Sequence, residues 1–308
     1  MASQTKVREM IAKNNAKKGG LSDKIVPIIL AIISAISILT TIAILFTLLT
    51  ETITFFTRVP LSKFFLSGTW NPTGSSPEFG IWALIIGTLK ITVIATIVAV
   101  PIGLGAAIYL NEYASDRSRR IIKPILEILA GIPTIVFGFF ALTFVTPILR
   151  NLIPNLGEFN SISPGIVVGI MIVPMITSMS EDAMSSVPDK IREGAFGLGA
   201  TKFEVATKVV LPAATSGVVA SIVLGISRAI GETMIVSLAA GSSPTSSLSL
   251  TSSIQTMTGY IVEIATGDAA FGSDFYYSIY AVGFTLFIFT LIMNLLSQWI
   301  SKRFREEY

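Results

Sequence analysis

Arg228 and Glu232 stand four residues apart in the stretch SRAIGET, inside an apolar run long enough to cross a bilayer. Ionisable groups at membrane depth are costly, so they face a bundle interior or an aqueous cavity and take a partner. On a continuous helix this spacing puts both side chains on one face, within reach of each other. A guanidinium is a planar fork of donors that matches an oxyanion, so Arg228 offers a contact for an anion in passage. Glu232 then orients Arg228 and keeps it from holding that anion too tightly. The competing reading is a static ion pair that fixes helix packing. It ranks second because a buried pair contributes little net stability that apolar packing could not replace.

Other chemistry is excluded by composition. The chain has no Cys and no His, which removes thiol nucleophiles, Ser-His-Asp triads, disulfides and imidazole metal sites. GLGATK around Gly197 lacks the Gly-Lys pair of a phosphate-binding loop, so the chain does not hydrolyse ATP itself. Among the remaining embedded groups, Lys90 either attracts anions near the outer face or snorkels. Glu127, Glu181 and Asp182 read as solvated interfacial carboxylates. Pro101, Pro133 and Pro174 interrupt apolar runs, as tolerated kinks or as breaks that line a path. Gly165 and Gly169 have the spacing that permits close helix approach.

The elements that position these groups are membrane spans. More than half the residues are hydrophobic and only 13% are charged, the balance of an integral membrane protein. Six stretches reach the length a bilayer requires: about Ile25–Leu49, Trp82–Leu110, Pro124–Ile148, Ser161–Met179, Thr215–Ala240 and Tyr277–Ile300. The first is too long for a signal peptide and has no cleavage site after it, so it reads as an uncleaved anchor.

Lys and Arg give the orientation. Lys6, Arg8, Lys13, Lys17, Lys18 and Lys24 precede the first span; Arg117, Arg119, Arg120 and Lys123 follow the second; Lys190, Arg192, Lys202 and Lys208 follow the fourth; and Lys302, Arg303 and Arg305 follow the sixth. That is 17 of the 22 basic residues on one side, against Arg58, Lys63 and Arg150 on the other. The positive-inside rule puts both termini of this multi-pass protein in the cytoplasm and leaves a nucleic-acid reading little to explain.

Two segments fall on the outer side. Arg58–Phe79 is turn-rich, with Trp70 beside Asn71-Pro72. Gly241–Tyr276 is Ser/Thr-rich, then places Ile254, Met257, Ile261 and Ile264 at helical spacing. The expectation is an external loop with one interfacial amphipathic helix, ahead of a docking surface or outer gate.

On the cytoplasmic side, EGAFGLGATKFEVATKVVLP (193–212) is moderately polar and rich in small residues. It reads as two short helical stretches, Glu193–Leu198 and Lys202–Val210, around a turn at Gly199, ended by Pro212. The segment resembles the EAA loop of ABC-importer permeases, with Glu193, Ala195, Gly199, Leu211 and Pro212 in register. Gly194 stands where the pattern has Ala, and Val209 where it has Ile. The resemblance implies an all-α integral membrane protein of MetI-like ABC permease fold with six transmembrane helices. It also implies that those five residues couple the chain to a separate ATPase. The chain then divides into a basic segment, 1–24, and a single permease domain, 25–308, with the loop at about 184–213.

FLSGTWNP, AVPIGLGAAIYLNEYA, EILAGIPTIVFGFFAL and GISRAIGETMIV resemble the permeases of the phosphate-specific transport system, and the PstC-type subunit in particular. The resemblance implies a subunit of the bacterial plasma membrane that passes inorganic phosphate. Its partners would be a PstA-like sister permease, a PstB-like ATPase dimer that holds ATP and Mg, and a PstS-like phosphate-binding protein, with no cofactor on this chain. Arg228 and Glu232 match the intramembrane Arg and acidic partner of the family motif. An ABC permease for molybdate, sulfate or phosphonate, and a secondary transporter or membrane scaffold, remain the alternatives.

Overall fold

The computed structural model describes residues 21–303. Lys6, Arg8, Lys13, Lys17, Lys18 and Arg305 of the topology argument lie outside the described residues. The chain separates into two bodies, residues 1–51 and 52–308. In the first, the described chain is entirely part of helix α1 (Leu21–Arg58). Ile36, Leu39 and Phe46 are all exposed. An apolar helix with no polar face suits lipid on all sides.

The second body begins with the end of α1 and a short helix, α2 (Leu61–Leu66), followed by a small antiparallel ribbon, β1 (Trp70–Asn71) and β2 (Glu78–Phe79), with Trp70 opposite Phe79. Helix α3 (Trp82–Ile108) runs into a π-turn at Tyr109–Tyr113, and α4 (Asp116–Gly131) follows. Then come α5 (Thr134–Phe140), a π-turn at Ala141–Val145, α6 (Thr146–Leu152) and α7 (Ile162–Ser185). A short helix, α8 (Asp189–Gly197), precedes α9 (Lys202–Glu204), which passes through a π-turn at Val205–Val210 into α10 (Leu211–Ala213). The chain finishes with α11 (Thr215–Ile230), α12 (Met234–Ala239), α13 (Met257–Thr266) and α14 (Asp274–Arg303).

Among the described residues five helices are long and apolar enough to cross a membrane: Ile25–Arg58, Trp82–Tyr113, Thr134–Leu152, Ile162–Ser185 and Asp274–Ile300. Lys202–Ala213 and Thr215–Ile230, bent by 75° against each other, make a sixth if taken as one span.

Two spans differ from expectation. The run Pro124–Ile148 is broken at Ile132-Pro133. Ile132 is extended (φ −67°, ψ 127°), as a residue before proline prefers, and Pro133 then opens α5. Upstream, α4 is a separate helix with Ile121, Ile125 and Ile128 exposed. The run Thr215–Ala240 is broken at Gly231–Thr233, between α11 and α12.

Glycines set the close packing of α3 on α7. A Cβ at Gly169 would lie 2.8 Å from Val98 Cβ and 2.9 Å from the Ala95 carbonyl oxygen; one at Gly165 would lie 2.7 Å from Ile94 Cβ. The small-residue spacing is therefore a contact between helix backbones. Three apolar clusters follow along the body. Ala107, Met184, Val187, Val205 and Val210 pack at the end that carries the basic loops. Ile91, Ala95, Val168, Ile172, Ala229 and Ile235 pack in the middle. Phe55, Phe64, Trp70, Phe79, Met257 and Tyr260 close the opposite end, and Trp70 meets Tyr260 edge to face at 4.9 Å.

Gly169→Val overpacks the α3–α7 contact and is expected to cost about 1–3 kcal/mol, read as a lower thermal midpoint of the detergent-purified protein. Gly105→Ala on α3, where an added methyl meets nothing within 4 Å, is expected to leave the midpoint unchanged or raised.

Candidate functional site

The break at Gly231–Thr233 carries the site. Helix α11 ends at Ile230 with Arg228 in its last turn, where a cation suits the negative helix end. Glu232 lies between the helices and turns its carboxylate onto the start of α12: Oε1 accepts from the backbone N–H of Met234 at 3.1 Å and of Ile235 at 3.3 Å. Oε2 faces Arg228 Nη1 at 3.2 Å. The i,i+4 pair thus forms across a helix break. A continuous helix would have no free N–H groups there for Glu232 to satisfy.

Exposure separates the two partners. The Glu232 side chain is 2% exposed and that of Arg228 is 47% exposed. Arg228 Nη2 has a weak contact with Met171 Sδ at 4.0 Å. Arg228 also lines a cavity of about 350 Å³ walled by α4, α7 and α11. Leu126, Ala130, Ile172 and Pro174 supply the apolar part of the wall, and Thr134 and Ser178 supply hydroxyls. Such a site can take up an oxyanion on one half of a guanidinium while the other half stays neutralised.

The segment at the opposite end reaches this break. Thr258, in the first turn of α13, donates its hydroxyl to the Glu232 carbonyl at 2.7 Å, and Thr88 on α3 accepts from the Met257 N–H at 3.0 Å. Ile254 and Met257 are fully buried, so α13 packs into the protein and is not the interfacial helix its sequence suggested. Burial pushes the Tyr260 phenol well above its ordinary pKa, leaving it neutral and hydrogen-bonded to Ser278 at 2.6 Å. Lys90 reaches toward the Ser-rich segment. It is buried, and its ammonium donates to the carbonyls of Ser247 and, at 2.9 Å, of Ser249, pinning the Ser-rich segment.

The second group of sequence-predicted residues lies at the basic end. Glu193 is exposed and Ala195 half-buried on α8, and Gly199 follows with φ +88°. A Cβ there would touch nothing, so the requirement is conformational: the left-handed turn brings the Ala200 N–H to the Ala195 carbonyl at 3.1 Å. Thr201 and Glu204 then form a reciprocal capping box. Leu211 and Pro212 sit in α10, two residues before the 75° bend. Leu198 and Phe203 are 92% and 66% exposed, an apolar pair that reading for pattern residues passed over. Arg192 ties the loop down by donating to Met184 and Val187 carbonyls at 2.7 and 2.6 Å and pairing with Glu112 on the π-turn after α3 at 3.3 Å.

The structure therefore joins Arg228 to Glu232 and gathers Glu193, Ala195, Gly199, Leu211 and Pro212 in one separate loop. Sequence reasoning missed Glu181. It is 5% exposed, lines the same cavity and pairs with Lys123 at 3.0 Å, and is not solvated at an interface. Its spacing from Met171 and Ser178 on α7 was the available signal.

Known proteins resemble this chain over most of its length. Residues 99–306 match the family described as binding-protein-dependent transport system inner membrane component. The chain is 34% identical over 242 residues to the probable ABC transporter permease protein YqgH of Bacillus subtilis, covering 78% of each. It is 32% identical over 260 residues to the phosphate transport system permease protein PstC of Mesorhizobium japonicum, again covering 78% of each. Among solved structures, a chain of the MetNI methionine ABC transporter in an inward-facing form superposes with a TM-score of 0.56 at 18% identity, covering 73% of this chain and 98% of that one.

Glu232→Ala is expected to destabilise the purified protein by about 1–3 kcal/mol, because it strands two N–H groups and leaves Arg228 unpaired. Glu232→Gln keeps an acceptor for Met234 and Ile235 and is expected to cost less than half as much, measured by thermal melts in detergent.

Proposed function

Because this chain belongs to the family of binding-protein-dependent transport system inner membrane components, we propose that it is a channel-forming subunit of an ATP-driven importer of inorganic phosphate. Arg228, half-exposed to a cavity and held from behind by a buried carboxylate, carries this reading. Several relatives of this chain carry the name PstC phosphate permease, which favours phosphate over other oxyanions.

Physical chemistry assigns the parts. A phosphate that enters the path must shed water, and Arg228 replaces part of that hydration with charge-assisted hydrogen bonds. Glu232 neutralises Arg228 between passages. A neutralised cation binds an anion weakly enough to let it leave, as passage through a pore requires. No bond is made or broken, so the residues act by binding and orientation alone.

The energy comes from outside the chain. With 17 basic residues on one side, the α8–α10 loop is cytoplasmic and so are both termini. A PstB-like ATPase dimer holding ATP and Mg meets this loop, and the exposed Leu198 and Phe203 provide apolar contact area for it. The Gly199 turn and the capping box make the loop stiff, and Arg192 joins it to the end of α3. A push on α8 therefore reaches a span without being absorbed by slack backbone. A PstA-like sister permease completes the pore, and a PstS-like binding protein delivers phosphate at the outer face. This chain itself binds no cofactor.

The test uses the complete importer in proteoliposomes. Arg228→Ala is expected to lower phosphate uptake about a hundredfold, with Arg228→Lys intermediate, while the complex still assembles and hydrolyses ATP. Parent-rate uptake by the assembled Arg228→Ala importer would remove Arg228 from the path. Faster uptake of molybdate, sulfate or a phosphonate than of phosphate by the parent importer would reassign the substrate.

The loop makes a separate prediction. Gly199→Val places a branched side chain at positive φ, at a cost of roughly 1–2 kcal/mol. It is expected to reduce co-purification of the ATPase about tenfold and to lower the thermal midpoint of the permease by a few degrees, whereas Leu198→Ser is expected to reduce co-purification to a similar extent without changing that midpoint.

A further inference from the structure

The cavity that holds Arg228 contains the same construction a second time. Lys123 on α4 pairs with Glu181 on α7 at 3.0 Å; the Lys123 side chain is 47% exposed and that of Glu181 is 7% exposed. Arg228 and Glu232 show 47% and 2%. In both pairs a buried carboxylate holds a cation whose other side is open to the cavity, and both cations line that cavity.

The two pairs stand at different depths. Met171 contacts Arg228, and Glu181 lies ten residues further along α7 on the same lining face. At 1.5 Å per residue the interval is about 15 Å, too far for one cation to serve an anion along the whole way. Glu181 is near the cytoplasmic end of α7, and Lys123 stands among the basic residues that follow the second span. Between the two levels the Ser178 hydroxyl faces the cavity. Of the cluster Arg117, Arg119, Arg120 and Lys123, Lys123 is the member that lines it. Glu127, one turn along α4, also lines the cavity, so an anion there meets one cation offset by two carboxylates and is held only briefly.

We propose that Lys123, held by Glu181, is a second phosphate-binding station on the transport path, between Arg228 and the cytoplasmic mouth. The inference rests on the phosphate-path reading of Arg228 and extends it. The anion released by Arg228 meets a second neutralised cation before it enters bulk water. A point charge on a flexible stem suits this position, where hydration is partly restored and geometric fit matters less than at a guanidinium.

The absence of cysteine from this chain permits a direct charge-rescue test. In the complete importer, Lys123→Cys is expected to reduce the turnover of phosphate uptake about fivefold or more. Treatment with a thiol reagent that attaches an aminoethyl group returns the positive charge and restores uptake; a sulfonatoethyl or neutral methylthio group does not. The parent importer treated alike reports any reaction on the other subunits. The double variant Lys123→Met/Glu181→Met, which replaces the pair with apolar packing, is expected to stay slow. Parent-like uptake by Lys123→Cys or by the double variant, equal rescue by the neutral reagent, or no rescue by the cationic one each overturns the station. Loss of uptake in Arg228→Ala with parent-like uptake in Lys123→Cys refutes this inference alone. Parent-rate uptake in Arg228→Ala refutes the path on which it rests.

Discussion

A backbone that leaves helical geometry inside an apolar layer frees N–H and C=O groups that lipid cannot satisfy. At Gly231–Thr233 this chain does so, and Glu232 meets the requirement from within. One carboxylate oxygen takes the two free N–H groups at the start of α12, the other takes Arg228, and the residue's own carbonyl takes the Thr258 hydroxyl. Two helix ends, a cation and a distant segment are fixed by one side chain and its backbone. Removing the Glu232 side chain frees the start of α12 and the cation together.

The same constraint explains why the charged groups pair as they do. A buried carboxylate without a partner is costly in this setting, and a fully buried ion pair adds little stability. Burying the acid and leaving the base half-exposed avoids both problems. The acid keeps its charge partner, and the base retains solvation that an anion can replace. Lys90 shows the other solution, a buried ammonium satisfied by backbone carbonyls.

Much of this was legible in the sequence where long apolar runs and special residues coincide. Hydropathy alone gives six spans, of which the described residues show five and a bent pair that makes the sixth if taken as one span. Gly199, set between two helix-forming stretches, marks a turn that the structure makes at φ +88°. Arg228 and Glu232 were found from the rarity of charge in apolar surroundings. Their contact was expected from helical spacing, whereas the structure makes it across a break that SRAIGET does not announce. Hydropathy averaged over a window passes through Gly231 and through Ile132-Pro133 without registering either. Glu181 was misplaced because closeness to a span end says nothing about which way a side chain turns, and α13 because helical periodicity fits lipid and protein partners equally. Leu198 and Phe203 were overlooked because exposure is a tertiary property.

The hydrogen bond from Thr258 to the Glu232 carbonyl joins the outer segment to the centre without an intervening element. The Lys90 clamp and the Thr88–Met257 contact both tie that segment to α3, so its first helical turn has little freedom to move alone. Thermodynamic linkage makes such a connection symmetrical. A force on the outer segment that shifts Glu232 alters how Arg228 is held, and an anion that draws Arg228 away from Glu232 alters the outer segment by the same free energy. On the proposed path, anion occupancy at Arg228 and the arrangement of the Thr258 segment are thus two readings of one coupling free energy.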